Sequence, residues 1–272
     1  MSDFLKTMAK ESADRANAAQ GSVRSSDLDL PVVPLSLGSF DLIAEIKNRS
    51  PSEGALAGEM SNHGDQAARY VDGGAAAISV LTEPTQFAGA LAHLREVVGT
   101  VSSASVPVMR KDFLVDPVQI LEARAVGASG VLLIATMLSD DQMSDMLDCA
   151  YEHSMFVLLE CFDENDLKRS AALLEDFQHR DQAESGQLLF GVNTRDLRTL
   201  HVDPERLKSL GPHLPDGVAC VAESGLHVGQ DAAAAAGWGY SLALVGTALM
   251  RAADPAALIQ EMLTAGRERW AA

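Results

Sequence analysis

The sequence predicts an α/β protein, a single (β/α)8 TIM barrel with an N-terminal helical extension. Three observations predict it. Eight short apolar runs, often β-branched, alternate with helical stretches, and parallel strands buried on both faces read as such runs. Polar side chains close several of the runs: Lys47, Lys111, Glu160, Asn193 and Glu223, with Arg195 two residues past Asn193. A charge at the mouth of a buried strand is costly unless it is paired or used, and a barrel collects its functional groups at that end. Finally, 272 residues with a hydrophobic fraction of 47% suit one large core, since a barrel takes about 250 residues.

Taken in order, residues 1–25 read as an amphipathic helix, and residues 25–40, with two prolines, as a loop. The expected division is an extension over 1–40 and a barrel over 41–272. Strands are expected near 42–47, 77–81, 106–110, 130–135, 155–160, 188–192, 218–222 and 241–245. Helices are expected near 62–73, 88–99, 116–126, 139–152, 163–175, 203–210, 227–237 and 255–268. Asp116-Pro117, Asp203-Pro204 and Asp254-Pro255 each offer an N-cap followed by proline in the first turn. Gly127 and Gly237 are expected to stop their helices. The polar stretch 176–187 is expected to be a surface loop on the side away from the chemistry. An open doubly wound sheet is the competing architecture. It usually carries a GxGxxG first turn, and the turn here is Asn48-Arg49-Ser50-Pro51-Ser52-Glu53-Gly54.

The net charge of −17 and pI near 4.7 argue against a nucleic-acid or anionic-membrane partner. Cys149, Cys161 and Cys220 form neither a zinc spacing nor a disulfide framework, which fits buried thiols in a reducing cytoplasm. The N-terminus is charged and lacks the apolar core of a signal peptide, and no run approaches the ~20 apolar residues of a membrane helix. The seven histidines show no metal-ligand spacing, so no metal site is expected. Trp238 and Trp270 read as packing or surface residues, and Met137, Met143 and Met146 as helix core.

Residues two apart in a strand share a face, so Glu45 and Lys47 point the same way, as do Asn193 and Arg195. An ion pair closing a strand end would explain any one of these charges. Three cations, three carboxylates and an amide exceed what closure requires. Ser224-Gly225 follows the seventh strand and Gly246-Thr247 the eighth, where barrels often bind phosphate through backbone N–H groups and hydroxyls. Ser50, after the first strand, offers a further hydroxyl.

The segments IAEIKNRSPSEG, SVLTEPTQFAGAL, PVMRKDFLVDPVQILEARAVGASGVLLIA, GVNTRDL and VAESG with LVGTALMR closely resemble the indole-3-glycerol-phosphate synthases, in order, over residues 40 to 263. The resemblance implies the substrate 1-(2-carboxyphenylamino)-1-deoxyribulose 5-phosphate, and indole-3-glycerol phosphate, carbon dioxide and water as products. It implies no cofactor. It casts Lys111 as general acid at the ketone, and Lys47 as partner of the substrate carboxylate. Glu160 becomes the acid or base of the dehydration, Glu45 the orienting group, and Asn193 the holder of a hydroxyl. Arg195, Glu223 and Ser224 fall on the anthranilate side. Phe113, with Leu81 and Leu133 as neighbours, falls on the apolar wall. Ser50, Gly225, Gly246 and Thr247 match the phosphate contacts. Two departures concern pocket shape: Cys161-Phe162 stands where the family often has Val-His, and Thr194 where Asn is common. A phosphoribosylanthranilate isomerase is a competing resemblance, but no cysteine ends the first strand. A binding-only subunit would lack a catalytic residue, and all are present. Whether the chain pairs with itself or with a pathway neighbour is left open by the sequence.

Overall fold

A computed structural model describes residues 2–50, 54–55, 62–197 and 201–271, without the side chains of Ser50 and Ala55. The barrel strands are β1 (Asp41–Ile46), β2 (Ala77–Leu81), β3 (Val108–Lys111), β4 (Gly130–Ile134), β5 (Phe156–Cys161), β6 (Leu188–Asn193), β7 (Cys220–Glu223) and β8 (Leu242–Val245). All pair in parallel with their sequence neighbours, and β1 closes the ring on β8 through Asp41 opposite Leu242. Closure removes sheet edges, so every strand is buried on both faces and its side chains alternate between two cores. Leu42, Ala44 and Ile46 of β1 pack outward against the helices, whereas Ile43 packs inward.

The helices are α1 (Asp3–Ala19), α2 (His63–Gly73), α3 (Leu91–Val101), α4 (Pro117–Ala125), α5 (Asp140–Glu152), α6 (Glu164–Ala172), α7 (Phe177–Glu184), α8 (Arg206–Leu210), α9 (Gly229–Gly237), α10 (Thr247–Arg251) and α11 (Pro255–Trp270). Helix α1 buries Leu5, Met8, Ser12, Ala16 and Ala19, a helical stripe. Its Leu5 and Met8 join the inner core, and Phe4 meets Phe113 edge-on at 6.0 Å. Ser12 Oγ accepts from Gln119 Nε2 at 2.8 Å, and Arg15 pairs with Asp112 at 2.7 Å. The extension therefore packs against the segment that carries Lys111.

Several expectations change. The 176–187 segment is not a loop: Asp176 caps α7 by accepting from the Gln178 and His179 amides, and His179 and Ala183 are buried beneath it. Its polar exposed face hid the helix. The Asp203-Pro204 cap is absent, because α8 starts after Glu205, which makes no side-chain cap bond; Asp116 and Asp254 do cap α4 and α11. Gly127 ends α4 at φ +91°, but Gly237 is the last helical residue of α9, and Gly239 takes the left-handed position at φ +96°. Gly237 lies against Arg269, whose Nε would stand 2.8 Å from an added Cβ.

Candidate active site

The alternation of faces decides which side chains reach the barrel mouth. Because Ile46 packs outward, Glu45 and Lys47 face inward. Val157, Leu159 and Cys161 of β5 also pack outward, so Glu160 points in. A cavity of about 280 Å³ opens there. It brings together Glu45, Lys47, Lys111, Glu160, Asn193 and Glu223. Arg195, Leu81, Phe113, Ser224, Gly225, Gly246 and Thr247 complete the predicted residues on its walls.

One lysine is held by a single carboxylate and the other by two. Lys47 Nζ lies 2.6 Å from Glu45 Oε1. Lys111 Nζ lies 2.9 Å from Glu160 Oε2 and 3.4 Å from Glu223 Oε2. Burial pulls the Lys111 ammonium down, but the charges of Glu160, Glu223 and Glu45 outweigh it and hold the group above its ordinary value. Glu223 goes the opposite way to a salt-bridged carboxylate. Burial, followed by the charge of Glu160, pushes its carboxyl well above 4.5, and Lys111 only partly pulls it back.

Neighbouring segments fix these groups. Arg110 and Asp112 flank Lys111 and pair with each other at 3.2 Å. Thr82 Oγ1 accepts from Arg110 Nε at 3.1 Å and donates to Asp112 at 2.8 Å. Asn193 Oδ1 accepts from the Arg195 amide at 2.9 Å. Ser224 and Gly225 follow β7 with φ of +66° and +77°; the left-handed Ser224 is a strained conformation of the kind found at functional sites. An added Cβ at Gly246 would collide with Glu45 Oε1, and one at Gly191 with Glu223 Oε1. These glycines leave room for carboxylates.

One expected residue falls elsewhere. Leu133 packs outward among the helices, while Leu132 and Ile134 line the cavity. A one-residue error of phase on β4 inverts every side chain. The Ser50 side chain lies outside the described residues. The cavity also takes Phe87, Leu197, His227 and Leu244, which no charge or strand-end position marked. Among the described residues no cluster of His, Cys, Asp and Glu has the arrangement of a metal site, and no helix is long and apolar enough to cross a membrane.

Paired lysines and carboxylates at the mouth of a (β/α)8 barrel, beside glycine turns after its last two strands, define a barrel enzyme of the acid–base class. Solved structures agree on the fold alone. The 3-hexulose-6-phosphate synthase of Salmonella typhimurium superposes with a TM-score of 0.59 at 15% identity, over 85% of this chain and 100% of that one. Thiamine phosphate pyrophosphorylase from Pyrococcus furiosus gives 0.57 at 14% identity, over 85% and 97%. Sequence is more specific: the family model of indole-3-glycerol phosphate synthase matches residues 32–262. The chain is 42% identical to the indole-3-glycerol phosphate synthase of Parafrankia sp. (strain EAN1pec) over 225 residues, 83% of this chain and 78% of that protein. It is 38% identical to the one from Nocardioides sp. over 269 residues, 96% and 97% of the two chains. The chain belongs to the indole-3-glycerol phosphate synthase family.

Proposed function

We propose that this site converts 1-(2-carboxyphenylamino)-1-deoxyribulose 5-phosphate to indole-3-glycerol phosphate, carbon dioxide and water. The observation that carries the reading is Lys111 held between Glu160 and Glu223, beside the Lys47–Glu45 pair, in a chain of this family. The ring carbon that bears the carboxylate attacks the ketone carbon, and Lys111 protonates the oxygen to a hydroxyl. Carbon dioxide then leaves and its bonding electrons restore the aromatic ring. In the last step the hydroxyl departs as water and a proton leaves the adjacent carbon, forming the indole double bond. Glu160 serves this dehydration as acid or base.

Lys47 pairs with the substrate carboxylate and Glu45 orients Lys47, from which it stands 2.6 Å. Asn193 holds a hydroxyl of substrate or intermediate. Arg195, Glu223 and Ser224 border the anthranilate ring. Phe113, Leu81, Leu132 and Ile134 supply its apolar wall, all four lining the same cavity. Gly225, Gly246 and Thr247, with Ser50 from the first loop, take the phosphate. A cation cluster inside a chain of net charge −17 suits a small molecule that carries both a phosphate and a carboxylate, and that overall charge disfavours nucleic acid and anionic membrane as partners. The setting is cytoplasmic biosynthesis.

The test is fluorescence at indole wavelengths on mixing protein and substrate. Signal should rise with the unaltered chain and be abolished by Lys111→Ala, with circular dichroism unchanged. Turnover that survives the substitution would remove Lys111 from the chemistry.

A further inference from the structure

Lys47 is followed by Asn48, whose side chain makes two bonds that leave its own loop. Asn48 Nδ2 donates to the Ala88 carbonyl at 2.9 Å, and Asn48 Oδ1 lies 2.9 Å from His63 Nε2. Ala88 adjoins Phe87 of the cavity wall and sits at φ +54°, a left-handed position uncommon for a residue with a side chain. His63 opens α2, and its Nδ1 lies 3.3 Å from Glu96 Oε2 on α3. Glu96 Oε1 also accepts from the Gly64 amide at 3.0 Å. His93 stacks on His63 with ring centres 4.0 Å apart.

The hydrogen-bond roles follow from what each partner can do. A carbonyl only accepts, so Asn48 must turn its NH2 to Ala88, leaving its own oxygen for His63. His63 Nε2 must then donate. Its other nitrogen faces the Glu96 carboxylate at 3.3 Å. Burial and the neighbouring His63 hold the stacked His93 below its ordinary value despite Glu96. Burial raises the Glu96 carboxyl, but the Gly64 amide and His63 outweigh it and leave it lowered.

We infer that Asn48 and His63 form a positioning latch: one amide, oriented by an imidazole, ties the Lys47 strand end to the Phe87 wall and to the start of α2. Neither side chain lines the cavity. Their effect on the reaction is indirect, through the placement of Lys47 and Phe87, where an error of ångström size is expensive. The kinetic consequence rests on the proposed reaction; the latch itself does not.

Three variants test it: Asn48→Ala, His63→Gln and His63→Asn. A glutamine amide places its NH2 near the former Nε2 and keeps a donor for Asn48; an asparagine reaches only toward the former Nδ1 position. Backbone hydrogen exchange, read without substrate, should quicken at residues 47–49 and 87–89 together in Asn48→Ala and His63→Asn, and stay near wild type in His63→Gln. With substrate, the first two should lose about tenfold in kcat/KM at unchanged melting temperature, and His63→Gln no more than about twofold. If the two His63 variants behave alike, or exchange at 87–89 ignores Asn48→Ala, the latch is refuted. If the exchange pattern appears but the unaltered chain does not turn over this substrate, the latch stands and the proposed reaction fails.

Discussion

At the residue scale, Lys111 and Glu223 are perturbed in opposite senses by one shared environment. Lys111 is held protonated by its carboxylates, which suits hydrogen-bond donation; delivering its proton requires that this pairing loosen as substrate charge develops. Glu223 carries a carboxyl raised well above 4.5, so the folded chain binds more protons there than the unfolded chain does between 4.5 and the raised value. Its contribution to stability is complete below 4.5 and is lost as pH rises through the raised value. Glu223→Gln removes that loss. Without substrate, its melting temperature should gain on the unaltered chain progressively from pH 4 to pH 8, while turnover falls. Melting curves that stay parallel across that range would place the Glu223 carboxyl at an ordinary value.

At the scale of elements, strand phase and loop chemistry divide the work. Leu133 faces the helices, fully buried, so Leu133→Ala should cost about 2–5 kcal/mol by urea unfolding. KM should not change, because the cavity wall is built by Leu132 and Ile134. A raised KM at unchanged stability would return Leu133 to the pocket. The turns after β7 and β8 are proposed to act through their backbone rather than their packing. Thr247→Glu sets a carboxylate where the phosphate is proposed to lie and should raise KM severalfold with little change in stability; a constant KM would move the phosphate elsewhere.

At the scale of the whole molecule, the extension and barrel meet at Asp112. Its side chain is almost wholly buried and is shared by Arg15 of α1 and Arg110 of β3. Arg15→Ala removes one charge-assisted bond from a buried carboxylate, a loss of about 1.5–3 kcal/mol measurable by urea unfolding. Turnover should fall as well, since Asp112 adjoins Lys111 in the chain. Full stability and activity without Arg15 would show that α1 docks by its apolar stripe alone.

The amino-acid sequence carries the barrel, the strand ends that bear charge, and the family. Apolar runs of strand length alternating with helices are a local signal, and Glu45, Lys47, Lys111, Glu160, Asn193 and Glu223 interrupt or end those runs visibly. It did not determine α7, whose polar exposed face resembles a loop, or the Gly239 stop, two residues beyond the glycine that looked like one. Tertiary structure alone decided the phase of β4, because adjacent leucines are equivalent until one face closes on the barrel interior. It alone decided the meeting of Asn48 with His63 and Ala88, residues 15 and 40 positions away in the chain. It also decided which carboxylates share Lys111, because Glu160 and Glu223 approach it only when the ring of strands closes and buries all three charges at one mouth.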